Sequence, residues 1–229
     1  MVRLVLFDID GTLLHTGGAG RKAFREALAT AFGIPNGTEG IEFAGRTDTG
    51  LVRQIFQRHG IEHSTDNRQY FFDAYYFWLD HILSHNEGNH CPFIWDFLRQ
   101  LSEQPKAPTL GLLTGNVRLG AEIKLRHFNL WQEFHTGGFG DDNEDRNLVA
   151  KAARDRGCRF LGKELRGEEI VVIGDTPLDV ACAKAIGARS LAVATGSSSV
   201  SDLQLHTPTW AVEHLGRIAA AEVCAPLAI

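Results

Sequence analysis

Hydrophobic residues in this chain fall into two rhythms. Leu4-Val5-Leu6-Phe7, Leu110-Gly111-Leu112-Leu113, Ile170-Val171-Val172-Ile173 and Leu191-Ala192-Val193-Ala194 are short apolar runs without polar alternation. Such runs suit strands buried on both faces of a parallel sheet. Helical patterns lie between the later runs, so the C-terminal two-thirds reads as strand–helix–strand units. Trp210 to Val212 is a candidate for one more edge strand.

From about His15 to Glu87 the spacing changes. Phe24, Ala27, Leu28, Ala31 and Phe32 fall at i, i+3, i+4, i+7 and i+8, and Gly33 supplies a stop. Leu51, Val52, Ile55, Phe56 and His59 repeat the pattern, with Thr47 as N-cap and Gly60 as terminator. A third helix, capped by Asp66 and closed by Gly88, carries Phe71, Phe72, Tyr75, Leu79, Ile82 and Leu83. Its aromatic density reads as a packed helical interior, not a ligand cage, and Trp78, Trp95 and Trp131 read as packing residues. The expected fold is α/β: a doubly wound, Rossmann-like parallel-sheet core of residues 1–15 and 88–229. An all-helical domain of residues 16–87 is inserted in it, entered through the flexible Thr16-Gly17-Gly18-Ala19-Gly20.

The chemistry sits where the apolar runs end. The first delivers Asp8-Ile9-Asp10-Gly11-Thr12, the second Thr114-Gly115-Asn116, and a later one Gly174-Asp175-Thr176-Pro177-Leu178-Asp179. In an open parallel sheet these positions meet in the crevice at the carboxyl ends of the strands. Carboxylates gathered there repel one another unless a cation intervenes, and a hard divalent ion with oxygen ligands, Mg²⁺ beside a phosphate, answers that need. Asp8 and Asp10 are two apart and point the same way on an extended strand, so one can attack while the other handles protons. Gly11 permits a sharp turn that Thr12 can hold by a local hydrogen bond. Thr114 offers a hydroxyl, and the Gly115 and Asn116 amides at an expected helix start form an anion seat. A lone Asp-x-Asp-Gly-Thr is also ordinary turn chemistry; the three run ends together are far more specific.

On these residues the chain resembles the haloacid dehalogenase superfamily, in its phosphatase branch with a helical cap, phosphoglycolate phosphatase-like. Asp8-x-Asp10-Gly11-Thr12 is similar to the first motif of that family, Thr114 to the second and Gly174-Asp175-x-x-x-Asp179 to the fourth. The resemblance implies an Asp8 nucleophile forming an aspartyl-phosphate, with Asp10 as general acid and then base. It implies Mg²⁺ held by Asp8, the Asp10 backbone carbonyl and Asp175, with Asp179 in support. Members that cleave carbon–halogen bonds lack an acid at the position of Asp10, so its presence points to phosphate esters. One motif departs from the pattern: no Lys-Pro pair lies between the second and fourth motifs. Arg146, opening a helix from Asn147 to Arg156 behind an Asp145 cap, is the preferred cation tying phosphate to Asp8. Lys151 stands five residues on, rotated about 140° from it. The plainer role for Arg146 is to neutralise the acidic loop before it.

In Ala44-Gly45-Arg46-Thr47-Asp48, Arg46 is a candidate to close over an anionic substrate group, or else a solvated helix-end charge. His15 follows the first turn closely enough to meet substrate. His81 and His85 stand four apart without a third ligand, and read as surface or capping histidines.

Composition narrows the classes. The chain has 229 residues, 44% of them hydrophobic, and net charge −5, which argues against a nucleic-acid or anionic-membrane partner. No apolar run reaches the about 18 residues of a membrane span, and Met1 to Phe7 is too short for a signal peptide. Cys91, Cys158, Cys182 and Cys224, widely spaced, read as free thiols of a cytoplasmic protein. The expectation is a Mg²⁺-dependent phosphomonoester hydrolase of a small phosphorylated metabolite. The alternatives are a sugar-phosphate mutase with the same core residues, a receiver-like signalling protein, or a non-catalytic binding protein. Oligomeric state is not legible.

Overall fold

The computed structural model describes residues 1–85 and 88–226. The apolar runs form strands β1 (Leu4–Phe7), β4 (Thr109–Leu113), β6 (Ile170–Gly174) and β7 (Arg189–Val193). With β5 (Thr136–Gly138) and β8 (Trp210–Val212) they make a sheet in the order β5-β4-β1-β6-β7-β8, every neighbour parallel. Alternate residues of one strand enter different clusters. Val5 and Phe7 join the larger core with Ile173 and Leu191, whereas Leu4 and Leu6 pack with Val149, Ala153 and Val172. Both faces of the sheet are therefore buried, which is why its strands carry no polar alternation.

Between β1 and β4 the chain forms β2 (Leu14–His15), helices α1 (Ala19–Phe32), α2 (Asp48–His59) and α3 (Thr65–Ser84), then β3 (Asn89–His90) and α4 (Ile94–Ser102). β2 and β3 pair antiparallel, Leu14 opposite His90, so the chain leaves and returns beside the first strand through a narrow ribbon. Two caps follow the pattern: Thr47 Oγ1 accepts from Gly50 N at 3.3 Å, and Gly33 takes a left-handed φ of 65°. Two do not. Ser64, not Asp66, caps α3, accepting from Asn67 N at 3.2 Å, because a hydroxyl in extended backbone two residues earlier already meets the free amide. That helix ends at His85, short of Gly88, and the expected limit at residue 87 lies outside the described residues. Phe24 meets Phe43, Phe71 and Tyr75 edge to face, giving the helices an aromatic interior. Trp78 donates to Thr30 Oγ1 at 2.9 Å, but Trp95 is 44% exposed and is no core residue.

The remaining helices are α5 (Arg118–His127), α6 (Arg146–Leu161), α7 (Pro177–Ala185), α8 (Val200–Gln204) and α9 (Ala220–Cys224). All four cysteines are free and buried. No helix among the described residues is long and apolar enough to cross a membrane.

Candidate active site

Sheet register assembles the site. Phe7 lies level with Leu112 of β4 and Ile173 of β6, so Asp8, Thr114 and Asp175 leave the sheet at one rim. Asp179 reaches the same place from the first turn of α7, where its Oδ2 accepts from Thr176 N at 3.0 Å and Thr176 Oγ1 at 2.7 Å. Carboxylate oxygens of Asp8, Asp175 and Asp179, all buried, lie within 4.8 Å of one another. Arg146, the first residue of α6, inserts a buried guanidinium among them. Its Nη2 is 3.2 Å from Asp8 Oδ1 and donates to Asp179 Oδ1, while Nη1 donates to the Gly45 carbonyl at 2.8 Å. Thr12 Oγ1 donates to Asp175 Oδ1 at 3.2 Å, so its bond is not the local one expected but joins the first turn to the β6 turn. Gly11 has φ +83°, and a Cβ on it would stand 2.5 Å from Asp175 Oδ2. Only glycine allows both the turn and that approach.

Burial pushes the Asp8 carboxyl up to about 6, Arg146 opposing and the Asp179 and Asp10 charges adding. Burial likewise pushes Asp175 up to about 8, reinforced by Asp179 and Asp8. For Arg146, burial favours the neutral form, but Asp179 and Asp8 outweigh it and hold the guanidinium charged. Three carboxylates against one guanidinium leave two negative charges uncompensated, the charge of one divalent cation. An all-oxygen, buried, mutually repelling donor set fits Mg²⁺.

Above this rim lies a cavity of about 520 Å³ between the sheet edge and the helices that follow β2. Asp8, Asp10, Asp175 and Arg146 line it, and so do Gly115 and Asn116. Thr114 is fully buried and outside the lining, its Oγ1 accepting from Asn116 N and Asn116 Nδ2, each at 3.2 Å. The amides expected to open a helix sit just before it: α5 starts at Arg118, and Val117 N donates to Asp48 Oδ2 at 2.9 Å. Arg146 Nε and Asn116 Oδ1 are buried polar atoms that have no partner among the described residues. Residues 5–193 match the family model of the haloacid dehalogenase-like hydrolases. The chain belongs to that family.

No curated protein sequence matches this haloacid dehalogenase-like hydrolase. Solved structures share its fold across nearly its whole length. A predicted phosphatase from Clostridium acetobutylicum is 19% identical, with TM-score 0.70 over 95% of this chain and 96% of that one. A predicted phosphoglycolate phosphatase from Haemophilus somnus is 19% identical, with TM-score 0.69 over 93% and 94%. CbbY from Rhodobacter sphaeroides, in complex with phosphate, is 20% identical, with TM-score 0.66 over 84% and 86%.

Within the hydrolase's cavity two charged residues stand out that the sequence pattern does not reveal. Lys124 of α5 is 4% exposed and sits 2.6 Å from Asp10 Oδ2, which Asn116 Nδ2 also meets at 2.9 Å. Burial raises the Asp10 carboxyl, but the Lys124 charge and these bonds prevail and hold it below the usual range. Asp48, opening α2, is buried and pushed up to about 7, chiefly by burial. A lysine in the last turn of a basic helix looks like dipole compensation, and an acid in a first turn like a cap, so neither spacing betrays them. Arg46, exposed, lines the cavity, and so does Arg21, whose guanidinium lies 5.0 Å over the Phe43 ring. His15 also lines it, whereas Lys151 is exposed on α6. Among the described residues His81 and His85 meet each other, ring to ring at 4.7 Å, and neighbouring groups of the α3 surface, the His81 carbonyl included.

Proposed function

We propose that this hydrolase is a Mg²⁺-dependent phosphomonoesterase of a small phosphorylated metabolite, working through an aspartyl-phosphate on Asp8. The observation that carries the reading is Arg146: its buried guanidinium binds Asp8 and Asp179 together, and Asp8 and Arg146 both line the cavity. A guanidinium paired with Asp8 in the cavity lining suits one more oxygen, as of a phosphate held against Asp8. Residues 16–87 would serve as a cap over a core of 1–15 and 88–229, leaving the cavity between them as the substrate chamber. Free buried thiols suit a reducing, cytoplasmic setting.

In the first step an Asp8 carboxylate oxygen bonds to phosphorus, the ester P–O bond breaks, and Asp10 gives its proton to the departing oxygen. The substrate's own negative charge favours the protonated form of Asp10 needed there. In the second, Asp10 takes a proton from water, the water oxygen bonds to phosphorus, and the Asp8–phosphorus bond breaks to free phosphate. Arg146 holds Asp8 and the phosphate in line. Gly115 and Asn116, which line the cavity, face the remaining oxygens, with the buried Thr114 hydroxyl behind them holding Asn116 in place, and Arg46 faces the leaving group. Asp8, Asp175 and the Asp10 carbonyl would hold Mg²⁺, with Asp179 behind them; when bound, the ion supplies charge neutralisation for attack on a dianion.

Phosphate release from a panel of phosphorylated metabolites, with and without Mg²⁺, tests this for the parent and Asp8→Asn. The expected result is Mg²⁺-dependent turnover that falls at least a thousandfold in Asp8→Asn, about 4 kcal/mol of transition-state stabilisation. Undiminished turnover in Asp8→Asn sinks the nucleophile, metal independence sinks the cofactor, and transfer of the phosphoryl group to a second sugar hydroxyl favours a mutase.

A further inference from the structure

Lys124 is one of the few buried cations of the molecule and takes no part in the reaction just described. Burying an ammonium is costly unless it is held against a fixed anion. Its side chain is 5% exposed, and its Nζ is 2.6 Å from Asp10 Oδ2. The N-terminus of α1 closes over it, since a Cβ on Gly20 would lie 3.4 Å from that nitrogen. Asn116 Nδ2 reaches the same oxygen at 2.9 Å, and Asn116 is itself tied to Thr114 Oγ1. Both contacts engage Oδ2. Asp10 Oδ1 has no hydrogen bond among the described residues, and the carboxyl is 42% exposed to the cavity.

We infer that Lys124 and Asn116 are positioning residues that clamp Oδ2 of Asp10, so that Oδ1 is the oxygen presented to the leaving group and then to water. A carboxyl gripped through one oxygen by two donors from different directions cannot rotate about its Cβ–Cγ bond, and the free oxygen keeps a single heading. This rests on the assignment of Asp10 as acid and base, and the experiment separates the two.

Protonation of the departing oxygen matters for an alkoxide and hardly for p-nitrophenolate, which leaves unaided. kcat/KM reports only the steps through release of the leaving group. Lys124→Met is therefore compared with the parent on β-glycerol phosphate and p-nitrophenyl phosphate, both with Mg²⁺. The expected loss in kcat/KM is at least tenfold greater for the glycerol ester. The inhibition constant of inorganic phosphate stays within twofold, and a burst of p-nitrophenolate appears as the water step slows. Asp10→Asn shows the same selectivity, and adding Lys124→Met to it costs less than twofold more. Lys124→Gln, which keeps a donor, carries the comparison where the Met variant melts early; its loss is smaller with the same selectivity. Equal losses on both esters, or a loss confined to KM and phosphate affinity, overturn the clamp while leaving the phosphatase intact. A parent that releases phosphate with Mg²⁺ from neither ester nor any member of the metabolite panel overturns the phosphatase reading and the clamp with it.

Discussion

At the scale of single residues, the site works by setting buried charges against one another. Arg146 is the clearest case, because its guanidinium spans Asp8, Asp179 and the Gly45 carbonyl at once. Arg146→Met leaves a buried acidic trio without its cation, and a loss of 3–5 kcal/mol, the order typical of a broken buried pair, is expected in denaturant unfolding. Arg146→Lys recovers only part, since a point charge cannot bridge three acceptors. An unchanged midpoint for the Met variant would show the pairs to be idle. Arg146 was legible because a helix turns 100° per residue, which sends Lys151 to the far side. Lys124 was not: nothing in Glu122-Ile123-Lys124-Leu125-Arg126 separates the one inward cation from its neighbour, because the partner that draws it in, Asp10, is 114 residues away.

At the scale of elements, the start of α2 is tied to two loops of the sheet. Asp48 N donates to Gly115 O at 2.7 Å, Thr49 Oγ1 to Gly140 O at 2.7 Å and Thr47 Oγ1 to Glu144 O at 2.9 Å, while Arg53 pairs with Glu144 at 2.8 Å. This clasp seats α2 on the loops after β4 and β5 at the cavity edge. Gly115 is its tightest point, for a Cβ there would strike the Arg46 carbonyl and stand 3.1 Å from Thr47 Cα. Gly115→Ala should therefore lift the start of α2, costing about 1–3 kcal/mol by overpacking. Faster amide exchange over residues 45–53, with the interior of the sheet unaffected, is the signature; uniform exchange would place the damage elsewhere. Asp48 gives the clasp a pH response. Its carboxyl is pushed up to about 7, so the folded chain binds that proton more tightly than the unfolded one, and stability falls as pH rises from about 4 to about 7. Asp48→Asn keeps an acceptor for Val117 N and removes the charge, and should raise the melting temperature at pH 8 more than at pH 5. A gain equal at both would locate the titration elsewhere. The short apolar runs of the sheet and the periodic faces of α1 and α2 were readable from the sequence. Thr136-Gly137-Gly138 was not read as a strand, since glycine gives no β signal and only the neighbouring β4 makes it one. The β2–β3 ribbon, two residues a side, was too short to leave a pattern.

For the molecule as a whole, the order β5-β4-β1-β6-β7-β8 brings positions far apart in sequence, Asp8 and Asp175 among them, to the central rim of one sheet. That convergence was foreseeable because buried parallel strands must end at a common edge. The fold thereby concentrates like charge, and its stability should depend on what neutralises it. Burial and mutual repulsion push Asp8 up to about 6 and Asp175 up to about 8, far above ordinary carboxyls. A raised carboxyl pKa means that the folded state holds protons which the unfolded state has released. This stabilisation is complete below about pH 4 and is lost as pH climbs towards 8. Mg²⁺ competes with those protons, so its effect must run the other way and grow with pH. Melting temperatures in EDTA should fall between pH 6 and pH 8. Mg²⁺ at one fixed concentration, about a hundred times its dissociation constant at pH 8, should restore about 2.7 kcal/mol there, or about 5–10 °C for a chain of this size. The restoration should be larger at pH 8 than at pH 6, and Asp175→Asn should flatten the slope to the share of Asp48 and Asp8 and abolish the response to metal. If Mg²⁺ shifts the melting of the parent equally at both pH values, or shifts that of Asp175→Asn as strongly, the acidic trio is not where the ion binds.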